Sequence, residues 1–118
     1  MKKVSLVFAV LVTVMALSCK KDAITTVDCT GVAPTYTSAV KAILDAKCAT
    51  SGCHGASNPA DGKDYSSYSA AKANSSADAF RGSIQQLSGY TAMPKGSSKL
   101  SDADIKTLNC WVQNGQPQ

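Results

Sequence analysis

Beyond residue 18 the chain is poor in the side chains that build a hydrophobic core. Residues 19–118 contain only thirteen Leu, Ile, Val and Phe: Ile24, Val27, Val32, Val40, Ile43, Leu44, Phe80, Ile84, Leu87, Leu100, Ile105, Leu108 and Val112. That share is low for a folded domain, yet the net charge is also low, so disorder is not the expected outcome. A domain of this size with so few large apolar groups needs a staple: a metal, a cofactor or disulfides. The chain offers five cysteines, at 19, 29, 48, 53 and 110, and these dominate what it can fold into.

The first residues read as an address. Lys2 and Lys3 form a positive start, and Val4 to Leu17 is apolar except for Ser5 and Thr13. Such a run is short of the ~20 residues a membrane span requires and suits a secretory signal. Ala16-Leu17-Ser18-Cys19 follows. A small residue directly before Cys resembles a lipobox, in which the Cys is acylated and becomes the mature N-terminus, although Ala16 stands where Leu is usual. Ordinary signal-peptidase cleavage after Ser18 is the alternative. The expected organisation is a lipoprotein signal peptide over 1–18, a lipidated N-terminus and tether over 19–34, and one domain over 35–118. Lys20 after Cys19 provides no inner-membrane retention signal, so an outer-membrane anchor in the cell envelope is expected, on its periplasmic or surface face.

Twelve basic side chains less Lys2 and Lys3 leave ten against eight Asp, a formal charge of +2. A nearly neutral domain implies no nucleic-acid partner. Export places the thiols in an oxidising compartment where disulfides persist. With Cys19 used by lipid, the simplest partition sets Cys48 and Cys53, directly before His54, to one chemical task and pairs Cys29 with Cys110.

Helical periodicity recurs along the domain. Thr37 or Ser38 can cap a helix to about Lys47, with Tyr36, Val40, Ile43 and Leu44 at helical spacing. Residues 55–64, with Asn58-Pro59 and Asp61-Gly62, form a turn region. A short helix is expected over 66–74, a second from Ser75 or Ser76 to about Leu87, then a loop holding Met93-Pro94. Ser101-Asp102-Ala103-Asp104 resembles a capping box opening a last helix with Ile105, Leu108, Trp111 and Val112 on one face and Gly115 as its stop. No strand is expected. The fold class is all-α with long loops.

The segment Cys48-Ala49-Thr50-Ser51-Gly52-Cys53-His54 carries the chemistry. Covalent haem attachment takes two thiols that add across the vinyl groups and an imidazole immediately after the second, which reaches the iron. The usual spacing is C-x-x-C-H; here it is C-x4-C-H. Gly52 would help the larger loop bend. His54 is the only histidine, and Met93 is the only methionine outside the signal, so a second axial ligand within the chain falls to Met93. Pro94 biases its neighbour to extended backbone. A His/Met pair raises the reduction potential and suits electron transfer.

The order helix, C-x4-C-H, long loop, Met-Pro and final aromatic-bearing helix resembles a class I cytochrome c domain over about residues 36–116. The quoted segments are Ile43 to Gly55, Met93 to Ile105 and Trp111 to Gly115. Departures are the longer thiol spacing and Cys110, where such domains commonly carry a polar residue. The resemblance implies that the first and last helices cross near one haem c, with Trp111 packed in that contact, and that Tyr90 lines the haem edge or anchors its loop.

The expected function is electron transfer by a membrane-anchored monohaem cytochrome with redox protein partners. Enzymatic turnover, such as a haem peroxidase, is not expected, because residues 19–118 hold no second His and no Glu. Two other readings stay open. One is a haem-free, disulfide-stapled lipoprotein that acts as a binding or structural module, with Cys48 and Cys53 bridged. The other is a zinc site of Cys48, Cys53 and His54 with Cys29 or Cys110.

Overall fold

The computed structural model describes residues 20–118. The expected signal peptide and the expected acylation of Cys19 fall on residues outside the described ones. Within them the fold is helical, with four α-helices and no strand: α1 (Lys41–Lys47), α2 (Tyr68–Ser75), α3 (Asp78–Gln85) and α4 (Asp102–Gln113). A π-helical turn, Tyr36–Val40, leads directly into α1, and a short 3-10 turn occupies Ala60–Gly62.

The first helix starts earlier than its periodicity predicts. Thr35, not Thr37 or Ser38, is the cap: its Oγ1 accepts from Ser38 N, and Thr35 N donates to Ser38 Oγ, both at 3.1 Å. Serine thus takes the returning role usually held by Glu or Gln in a capping box. The wide first turn buries both Tyr36 and Val40. α2 and α3 also divide differently from expectation. Ser75 does not cap α3 but closes α2, where its buried hydroxyl donates to Ala71 O and accepts from Gln116 Nε2 at 2.8 Å. α3 then begins after Ala77 with no side-chain cap, and it ends at Gln86 in the left-handed region (φ 56°) rather than at Leu87. Ser101 caps α4 as expected, accepting from Asp104 N at 3.1 Å. Gly115 follows α4 at φ 83°, a backbone state that glycine reaches without a Cβ penalty.

The core is small but continuous. Tyr36, Val40 and Leu44 from the first helix meet Leu108 and Trp111 of α4, and Phe80, Ile84, Leu100 and Ile105 extend the cluster towards Tyr65. Trp111 is fully buried, lies 6.2 Å from the Tyr36 ring and donates through Nε1 to Pro117 O at 2.8 Å. Its polar edge is therefore satisfied inside the contact between the first and last helices.

The Cys29–Cys110 disulfide is formed, with Cα atoms 5.5 Å apart and the two residues 81 positions apart in sequence. Residues 22–29 lie against α3 and α4 as an extended strap. Arg81 reaches Thr25 O and Gln113 Oε1, each at 3.0 Å, and Asn109 Oδ1 at 2.9 Å. The Gln113 side chain in turn accepts from Val27 N and donates to Val27 O. Side-chain bonds of this kind satisfy backbone groups of a segment that belongs to no helix or sheet.

Candidate functional site

The two thiols, the histidine and the methionine singled out from sequence all line one cavity of about 1230 Å³. Cys48 ends α1, its N–H still donating to Leu44 O. The chain then loops back so that His54 N donates to Cys48 O at 2.9 Å. Four residues between the thiols are accommodated by Gly52 at φ 76° and by a turn in which Cys53 N donates to Thr50 O at 3.0 Å. Cys48 is half-buried, Cys53 is exposed, and both are free thiols.

His54 is buried, 9 % exposed. Its Nδ1 lies 2.8 Å from Lys63 O. A carbonyl can only accept, so Nδ1 carries the proton of this bond, which in the neutral ring leaves the lone pair on Nε2, the arrangement usual for a metal-binding imidazole. The 55–64 turn region makes this possible: Ala60 N donates to Cys53 O and Tyr65 N to His54 O, which brings Lys63 back over the ring. Tyr65 sets its ring edge-on to His54, with centroids 5.1 Å apart.

Met93 enters the same lining from the loop after α3. The end of α3 holds it: Met93 N donates to Ser83 O at 3.1 Å, and Gln86 Nε2 donates to Met93 O at 3.4 Å. The Met93–Pro94 peptide bond is cis. Tyr90 also lines the cavity and packs flat against Gly82, where a Cβ would stand 2.4 Å from its ring. Phe80, Ile84 and Leu100 supply apolar wall.

Burial and the neighbouring Cys53 push the Cys48 thiol up to about 11. Burial, with smaller contributions from Cys48 and Asp61, pushes the Tyr65 phenol up to about 12. Both groups are therefore neutral at physiological pH. The mouth of the cavity is positive. Lys21, Lys47, Lys63, Lys95 and Lys99 line it against Asp61 and Asp104, and Asp61 is ion-paired with Lys63.

Zinc finds no partner set here. Cys29 and Cys110 are consumed by their disulfide, and no cluster of three or more His, Cys, Asp or Glu exists among the described residues. Two contributors had no signature in the sequence: the Lys63 acceptor is a backbone carbonyl, which any residue supplies, and Tyr65 follows a turn with no periodicity. Comparison with protein-family models, with curated proteins and with solved structures finds no match to this chain.

Proposed function

We propose that the protein is an exported, lipid-anchored monohaem c-type cytochrome that carries single electrons. The observation that carries this reading is the convergence of Cys48, Cys53, His54 and Met93 on one cavity, at or above the ~300–1,000 Å³ usual for small-molecule sites. The residues suit the group in kind, and they share one cavity lining. Two free thiols are available for thioether bonds, and an imidazole and a thioether share the same lining. A covalent haem would supply a one-electron couple.

The chain's own residues account for the rest. Lys63 O fixes the tautomer and orientation of His54, and second-shell contacts of this kind govern ligand strength. Phe80, Ile84 and Leu100 give the cavity buried apolar lining, and low polarity around a haem raises its potential. With His54 and Met93 both given to the iron, such a group would leave no position open for substrate. That favours a carrier over an enzyme.

The deciding experiment is a pyridine haemochrome spectrum of the full chain, exported in a host with haem-c maturation machinery. The expected result is a band of two-thioether haem that survives acid-acetone extraction. A colourless folded protein would reject the cytochrome and leave a disulfide-stapled lipoprotein.

A further inference from the structure

The strap ends at the cavity. Asp22 N donates to Ser88 O at 3.0 Å, and Ser88 N donates to Asp22 Oδ2 at 2.8 Å. This closed pair of bonds clasps residue 22 to the loop that carries Met93. Lys21 sets its ammonium over the Tyr90 ring, 5.2 Å from the centroid. Gly89 makes the close approach possible, since a Cβ there would stand 2.6 Å from Lys21 Cγ. The chain before residue 21 therefore leaves the fold at the cavity rim and not from a free linker.

Cys19 stands three residues before Asp22, so an acyl group on it lies no more than about 10 Å of chain from the clasp. That reach is close to the Debye length at physiological salt, ~8 Å, the range over which an anionic lipid surface attracts lysines. The lysines are there. Lys20, Lys21, Lys95 and Lys99 are exposed, and three of these four line the cavity. With the Lys63–Asp61 pair set aside, the lining holds four lysines against Asp104, more positive charge than the net +2 of residues 19–118. The remaining surface is correspondingly slightly negative.

We propose that the cavity mouth is the membrane-facing surface of this protein and that an anionic lipid surface is its partner, gripped by Lys20, Lys21, Lys95 and Lys99. The proposal rests on the lipid-anchor reading of Cys19. Short tethering and charge work in the same direction: the anchor brings the rim to the bilayer, and the lysines hold it there. An electron donor or acceptor then meets the protein in or at the membrane.

The test uses the full lipidated chain in vesicles of phosphatidylcholine mixed with phosphatidylglycerol. After flotation the protein is treated briefly with a water-soluble amine acylator, and labelling of each lysine is read by peptide mass spectrometry. Lys95 and Lys99 are expected to label at least about threefold less than in a variant with ten Gly/Ser residues inserted between Lys20 and Lys21, whose flexible reach grows by roughly 17 Å. Lys41, Lys72 and Lys106, outside the cavity lining, are expected to label equally in both.

A chain that fails to float overturns the anchor itself, and the proposal with it. A chain that floats but shows equal Lys95 and Lys99 labelling with and without the spacer overturns the proposal alone, and frees the rim for an acidic protein face instead. Equal protection on phosphatidylcholine alone overturns the assignment to anionic lipid.

Discussion

The Nδ1–H of His54 donates to the backbone carbonyl of Lys63 across 2.8 Å, inside a turn that sequence alone reads as mere connection. One hydrogen bond thereby sets the tautomer of the neutral ring and leaves Nε2 as its acceptor nitrogen. Under the cytochrome reading, His54→Ala keeps the covalent haem, because both thiols remain, but converts a low-spin spectrum to a high-spin one. The optical spectrum of the purified variant checks this; an unchanged low-spin spectrum would remove His54 from the iron.

Tyr90 and Gly82 make a second sharp prediction. A Cβ on Gly82 would stand 2.4 Å from the Tyr90 ring, so Gly82→Ala forces the ring out of place, an overpacking cost of about 1–3 kcal/mol. Alanine is otherwise better than glycine inside a helix by ~1 kcal/mol. In a Tyr90→Ala background the same change is therefore expected to be neutral or stabilising. A double-mutant cycle by urea denaturation reads the reversal of sign.

The Cys29–Cys110 bridge closes a loop of about 80 residues. Cys29→Ser with Cys110→Ser is expected to cost about 4–5 kcal/mol in the chain-entropy model. In a domain with so small a core, that approaches the whole stability. Denaturation midpoints of the oxidised protein and the double variant measure it.

Alkali should weaken the haem-free chain. The Cys48 thiol is held up to about 11 in the fold, whereas in the unfolded chain it ionises near its ordinary value of about 8.5. Between those values the unfolded state has lost a proton that the folded state keeps, so stability falls as pH rises from about 8.5 towards 11. Tyr65, held up to about 12, continues the fall above pH ~10. Urea midpoints at rising pH should drop less steeply in Cys48→Ala; identical slopes would show that the Cys48 environment does not discriminate against thiolate.

Much of this molecule is legible from sequence because its signals are local. Ser101 as a cap, the Ile105, Leu108 and Trp111 face, and Gly115 as a stop all act within one or two helical turns, and α4 follows them. The partition of thiols was also legible, since Cys29 and Cys110 pair while Cys48 and Cys53 stay free. What escaped depends on distant partners. Ser75 reads as a cap but is held at the end of α2 by Gln116, 41 residues away. The strap over 22–29 reads as a polar tether, and only Arg81 and Gln113, far along the chain, give its carbonyls and amides somewhere to go. The positive rim was hidden by a net charge that averages it against the rest of the surface.

The disulfide has one more consequence. Every α-helix but the last residues of α4, both free thiols, His54 and Met93 lie between Cys29 and Cys110. A single proteolytic cut in the exposed 56–58 stretch would therefore release nothing. Both pieces would stay joined as one particle, one carrying the histidine and the other the methionine, until a reductant set them apart.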